Sequence, residues 1–187
     1  MRRVLSVALV YFAGLTSNAF AQPRALGHDV RWDLLQIIQR TALAGGTNVG
    51  KDAATGDTIS LTGSGDTEPA EGTAHGGGTF IHRHSNGTVV ANGVYVVTGF
   101  LNWDPAGGSL SATPLTDGVG DINETSSGIM TLIVRLFPST GGHVDAILSV
   151  NCNLPGATES IEEGIMLDVG TLHFVQNGGV TLFHVQK

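Results

Sequence analysis

The stretch MTLIVRLFPSTGGHVDAILSVNC (residues 130–152) decides the fold class. Met130, Leu132, Val134 and Leu136 alternate with Thr131, Ile133 and Arg135, the period of two expected of a strand with one buried face. Pro138-Ser139-Thr140-Gly141-Gly142 then supplies turn chemistry. The chain returns with Val144, Ala146, Leu148, Val150 and Cys152 on one face and His143, Asp145, Ser149 and Asn151 on the other, with Ile147 the exception. Two alternating runs of matched length about a Pro/Gly turn predict an antiparallel hairpin. Cys152, the only cysteine, falls on the apolar face, where a thiol serves as a small hydrophobe, and no intrachain disulfide is available.

Working outward, most of the remaining chain reads the same way. Val30–Ile38 fits a helix period and a strand alike, and the β character of everything after it favours a strand. Residues 44–57 read as a loop or a weak edge strand, 58–63 as a short strand, 66–78 as a polar Gly-rich connection and 79–84 as a strand. Ser85-Asn86-Gly87 suits a hairpin turn that would set His84 opposite Val89 and His82 opposite Ala91. Residues 88–103 form a long β stretch with a bulge expected at Asn92-Gly93. Residues 164–169 make a short strand, and 171–185 a last hairpin about Asn177-Gly178-Gly179; a loop at Gly178-Gly179 would bring His173 opposite His184, one at Asn177-Gly178 would bring it opposite Leu182. The sum is about nine strands and no convincing helix, so an all-β antiparallel barrel or sandwich is expected over residues 22–187. Parallel architecture is excluded because its crossover helices are missing. Residues 104–127 form the longest turn-rich segment, where a ligand gate is first to be sought.

Composition agrees. Glycine supplies 27 of 187 residues, about twice the usual share, and charged residues only 13%. Nine basic residues against sixteen acidic ones give a net charge of −7. With only Lys51 and Lys187 as lysines and no basic cluster, nucleic acid and anionic membrane surfaces are excluded as partners.

The N-terminus reads as a cleavable signal peptide over residues 1–21. Met1-Arg2-Arg3 is a positive start, Val4 to Leu15 is apolar apart from Ser6 and Gly14, and Ala19-Phe20-Ala21 is a small-x-small cleavage pattern. Its apolar run is too short to span a bilayer, so export to the periplasm or medium by the general route is expected, not membrane anchorage.

Histidines are the main candidates for chemistry. His82 and His84, two apart on a strand, project from one face as an H-x-H metal pair requires, and they are the residues nominated as metal ligands. The glutamate that follows such a pair in cupin-type sites is missing here, and a polar strand face is the competing reading. His143 and Asp145 share a solvated face, as an imidazole and its orienting carboxylate would. Glu159, Glu162 and Glu163 cluster in a loop and read as solvation. No nucleophile elbow, H-E-x-x-H motif or phosphate loop exists, so no cofactor is indicated.

GGGTFIHRHSNGTVVANGVYVVTGF (residues 76–100), TLIVRLFPSTGGHVDAILSVNCNLPGATESIEEGIMLDV (131–169) and TLHFVQNGGVTLF (171–183) resemble a group of short exported bacterial β-rich proteins whose function is not established. That resemblance implies a bacterial origin and a β scaffold and nominates no site residue. A looser similarity, in the Gly-rich run into a strand, is to allene-oxide-cyclase and dirigent barrels, which implies a cup around an apolar ligand. The expected function is therefore that of an exported non-catalytic binding or envelope-associated module, with an apolar small molecule or an envelope component as partner. The alternative is a small barrel enzyme, an isomerase or lyase, acting on an apolar substrate.

Overall fold

The computed structural model describes residues 28–186; the signal-peptide reading of residues 1–21 lies outside them. The chain forms twelve strands: β1 (Val30–Ile38), β2 (Thr41–Ala44), β3 (Asn48–Asp52), β4 (Thr58–Glu68), β5 (Thr73–Arg83), β6 (Val89–Gly107), β7 (Thr116–Asp117), β8 (Thr125–Pro138), β9 (Val144–Cys152), β10 (Gly164–Val169), β11 (Leu172–Gly178) and β12 (Val180–Val185). Two short 3-10 turns, Leu110–Ala112 and Ile122–Glu124, flank β7. The all-β expectation holds, with twelve strands in place of about nine. No helix among the described residues is long and apolar enough to cross a membrane.

Eight strands close a ring in the order β6-β5-β4-β3-β11-β10-β9-β8, sealed by the β6–β8 pairing from Gly93↔Pro138 to Gly107↔Ser127. The ring is not a regular barrel, because two of its strands are shared. β4 pairs with β3 through Thr58–Leu61 but with β1 through Ser64–Thr67. Likewise β8 pairs with β9 from Gly128 to Leu136 and with β12 at Thr125 and Ser126. The antiparallel β1–β12 pair therefore bridges from β4 to β8 across one end of the ring.

Alternation fills the interior. Leu132, Val134 and Leu136 of β8, Ala146, Leu148 and Val150 of β9, Ile165 and Leu167 of β10 and Phe174 of β11 are buried in one cluster. Trp32, Leu34, Leu182 and Phe183 from the bridging pair join it, each fully buried. Cys152 is buried among them, as its face predicts. The 130–152 hairpin has the expected register, Leu136↔Val144 through Gly128↔Cys152, and Ile147 is exposed.

Other expectations fail for physical reasons. Residues 44–57 hold β3, an interior member of the ring. The supposed connection at 66–78 is largely strand, because its glycines are packing devices. A Cβ on Gly76, at φ 137°, would lie 2.5 Å from the Ser64 carbonyl oxygen and 3.1 Å from the Trp32 ring, and one on Gly77 would collide with the Tyr95 carbonyl. On the facing strand Gly65 and Gly63 likewise leave room for Trp32 Nε1 and the Tyr95 hydroxyl. Backbone without side chains is what lets both rings lie against β4 and β5. The bulge foreseen at Asn92-Gly93 is not there; β6 shifts register at 97/99, 100/102 and 105/107 instead. Arg83, not His84, pairs with Val89, after a shift beside His82, whose pairing with Ala91 is as expected. The 171–185 hairpin does not form: β11 pairs with β3 and β10, and β12 with β1 and β8. Thr181, Leu182, Phe183 and His184 are all buried, which a hairpin strand with one solvated face does not allow. The exclusion of parallel pairing holds apart from a two-residue contact between β2 and β7.

The β1–β2 hairpin turns at Gln39 and Arg40, both left-handed at φ 50° and 65°. Two-residue hairpin loops of this kind favour Asn-Gly, and a left-handed side-chain-bearing residue costs about 1–2 kcal/mol. Replacing Gln39-Arg40 with Asn-Gly is expected to stabilise the chain by about 1–2 kcal/mol, read as a higher urea midpoint at unchanged slope.

Candidate functional site

The buried polar groups gather where the bridging pair crosses the ring. His184 of β12 and Asp117 of β7 are hydrogen-bonded, Nε2 to Oδ2 at 2.7 Å, with both side chains almost wholly buried. Asp117 Oδ1 also accepts the backbone N–H groups of Val119 and Gly120. Burial pushes the Asp117 carboxyl up, but His184 and the two amides outweigh it and hold it below the usual carboxylate range. This pair pins the 104–127 segment to the core.

On the same strand, Thr181 meets Glu163 from the loop before β10. Glu163 Oε1 accepts the Thr181 N–H at 2.6 Å and lies 3.0 Å from its hydroxyl, while Oε2 accepts the Asn153 N–H at 2.6 Å. Thr181 Oγ1 donates to the Asn151 carbonyl at 2.6 Å. Burial raises the Glu163 carboxyl above its ordinary range, partly opposed by the bonds from Asn153 and Thr181. Among the described residues no Lys, Arg or His forms an ion pair with it.

Glu163 lines a pocket of about 170 Å³. Leu35 and Ile37 of β1, Ala42 of β2 and Val180 of β12 form one side. Leu110, Thr113 and Leu115 of the long connection form another, and Asn153, Leu154 and Pro155 complete it. The walls are mostly aliphatic, with Thr113, Asn153 and Thr181 as polar neighbours and Glu163 as the one ionisable group, the pattern of a small-molecule site: an apolar cleft with a few placed polar atoms. The turn-rich segment suspected as a gate does line this pocket. A wider hollow of about 500 Å³ beside Trp103 and Pro105 reaches His28, before which the chain is not described.

The residues nominated from sequence lie at the opposite end. His82 Nε2 and His84 Nδ1 both contact Asp57 Oδ2, at 3.0 and 3.1 Å. Asp57 also accepts the Ser85 N–H, and the two imidazoles hold its carboxyl low against the opposing effect of burial. Sequence reading found the histidine pair and missed the aspartate they share. Among the described residues no group of three or more His, Cys, Asp or Glu side chains is placed to hold a metal ion. His143 does not pair with Asp145, whose carboxylate takes Arg135 through two bonds. His173 contacts Asp168, not His184.

Glu163 was passed over as a solvated loop acid. One sequence signal could have found it: Ile161, Glu163 and Ile165 share a period of two, and both isoleucines are buried.

Asp117 gives a pH-dependent prediction. Its carboxyl is depressed in the folded chain, so the stability it supplies is present above the unfolded value of about 3.9 and is lost as pH falls through the lower folded value. Asp117→Asn is expected to cost about 1.5–3 kcal/mol near neutral pH. In urea titrations that gap should shrink at the acid end; an equal gap throughout would show that ionisation of Asp117 is not what matters. Comparison with protein-family models, curated proteins and solved structures finds no match for this chain.

Proposed function

We propose that the chain is an exported, non-catalytic β domain that binds a small apolar molecule in the pocket between β1, β12 and the 104–127 connection. The observation that carries this reading is the pocket itself, aliphatic on nearly every side and about 170 Å³ in volume. An apolar cavity of about 150 Å³ is enough to take up benzene. The interior of the ring is packed with side chains, so the end crossed by β1 and β12 is where a ligand finds room. Export rests on residues 1–21, read as a signal peptide.

The rival reading is a small enzyme, an isomerase or lyase. Acid–base chemistry of that kind is served by two groups of opposed protonation facing the substrate. Glu163 stands as the one ionisable side chain in the lining, which favours binding over turnover.

Toluene added to methyl-labelled protein is expected to shift the resonances of Leu110, Leu115 and Leu154 saturably. Leu115→Trp, which fills the pocket, should remove those shifts. Absence of saturable shifts at these methyls in the unaltered chain would overturn the reading, and chemical conversion of a bound ligand would replace it with the enzymatic one.

A further inference from the structure

We infer that the pocket's ligand is a small apolar amine whose ammonium group pairs with Glu163. This inference rests on the binding reading above and names the ligand's chemistry.

The argument begins with what Glu163 lacks. Removing a carboxylate from water is expensive, and buried charges are ordinarily paired with a cation. Of the buried carboxylates, Asp33 is held by Arg31 through two bonds and Asp117 by His184, whereas Asp52 is satisfied without a cation by the Thr55 and His173 N–H groups and the Thr55 hydroxyl. Asp57 has two histidines. Glu163 has two backbone N–H groups and a hydroxyl contact, which orient it, and among the described residues no cation. No Lys, Arg or His lines the pocket either.

The carboxylate's position then selects the partner. Oε1 is occupied by Thr181, while Oε2 accepts only from Asn153 and keeps a second lone pair. An ionised carboxylate accepts and does not donate, so the ligand's polar end must be a donor, and an ammonium is the donor that also supplies the missing counter-charge. An anionic ligand would meet Glu163 with no counter-charge nearby. Leu35, Leu110, Leu115 and Val180 require the rest of the molecule to be apolar, and about 170 Å³ limits it to roughly one six-membered ring or a short alkyl chain. The net charge of −7 further favours the approach of a cation.

The test compares benzylamine, toluene and benzoate by titration calorimetry and by the pocket methyl resonances, at an ionic strength that screens the surface. Benzylamine is expected to bind at least tenfold more tightly than toluene, with benzoate not binding. Glu163→Gln should bring benzylamine to within about twofold of toluene. If toluene and benzylamine bind the unaltered chain equally, the pocket stands and the amine inference falls; if neither binds, both fall. The ligand series needs no variant, so it remains decisive even where Glu163→Gln does not fold.

Discussion

Two-sided burial of β12 is the constraint on which the rest of this structure depends. A strand that seals the rim of a β ring has core on one side and covering chain on the other, so its residues cannot alternate between core and water. Thr181, Leu182, Phe183 and His184 are accordingly all buried. The apolar pair contributes packing, Phe183 standing opposite Trp32 of β1 and edge-on to Trp103. The polar pair creates a requirement, since a buried hydroxyl or imidazole without partners costs free energy. The surrounding loops meet that requirement at the Thr181 N–H and His184 Nε2, while His184 Nδ1 is buried without a partner. Residue 117 reaches His184 from the 104–127 connection, and residue 163 reaches Thr181 from the loop ahead of β10.

What the sequence revealed follows from the same geometry. The 130–152 hairpin was legible because β8 and β9 each have one buried and one exposed face, so burial is written directly as alternation. Where burial is two-sided or achieved without side chains, the signal disappears. Val180 to Val185 carries a nearly continuous apolar run beside two glycines, and that reads as the second arm of a hairpin although the chain passes on to a new partner strand. Gly76 and Gly77 read as loop chemistry, yet they lie in β5, where a Cβ would meet the Trp32 ring and the Tyr95 backbone. Glycine has two uses in a strand-rich chain, and one sequence does not separate them.

The same limit applies to the candidate sites. His82 and His84 stand out because their spacing is local. Asp57, the group both of them touch, lies on the approach to β4 and is placed beside them by the β4–β5 register, which is not local. Pairing His143 with Asp145 failed for a complementary reason: Arg135, directly across on β8, offers the carboxylate two bonds where an imidazole offers one.

His184–Asp117 and Thr181–Glu163 are two answers to one demand, and their difference separates architecture from function. In the first, the carboxylate has a cationic-capable partner and two amides, and its pKa is depressed despite burial. Apart from the unpartnered His184 Nδ1, the bonds favour the closed, packed arrangement, so the pair acts as an anchor. In the second, burial dominates and the carboxyl is raised, which means the folded chain holds the ionised group less well than water does. A fold selected for packing alone needs acceptors there for the Asn153 and Thr181 N–H groups but no charge. Keeping a carboxylate in an aliphatic pocket at an energetic cost is understandable when a molecule from outside completes the pair, because that molecule then gains the electrostatic stabilisation which the protein itself forgoes.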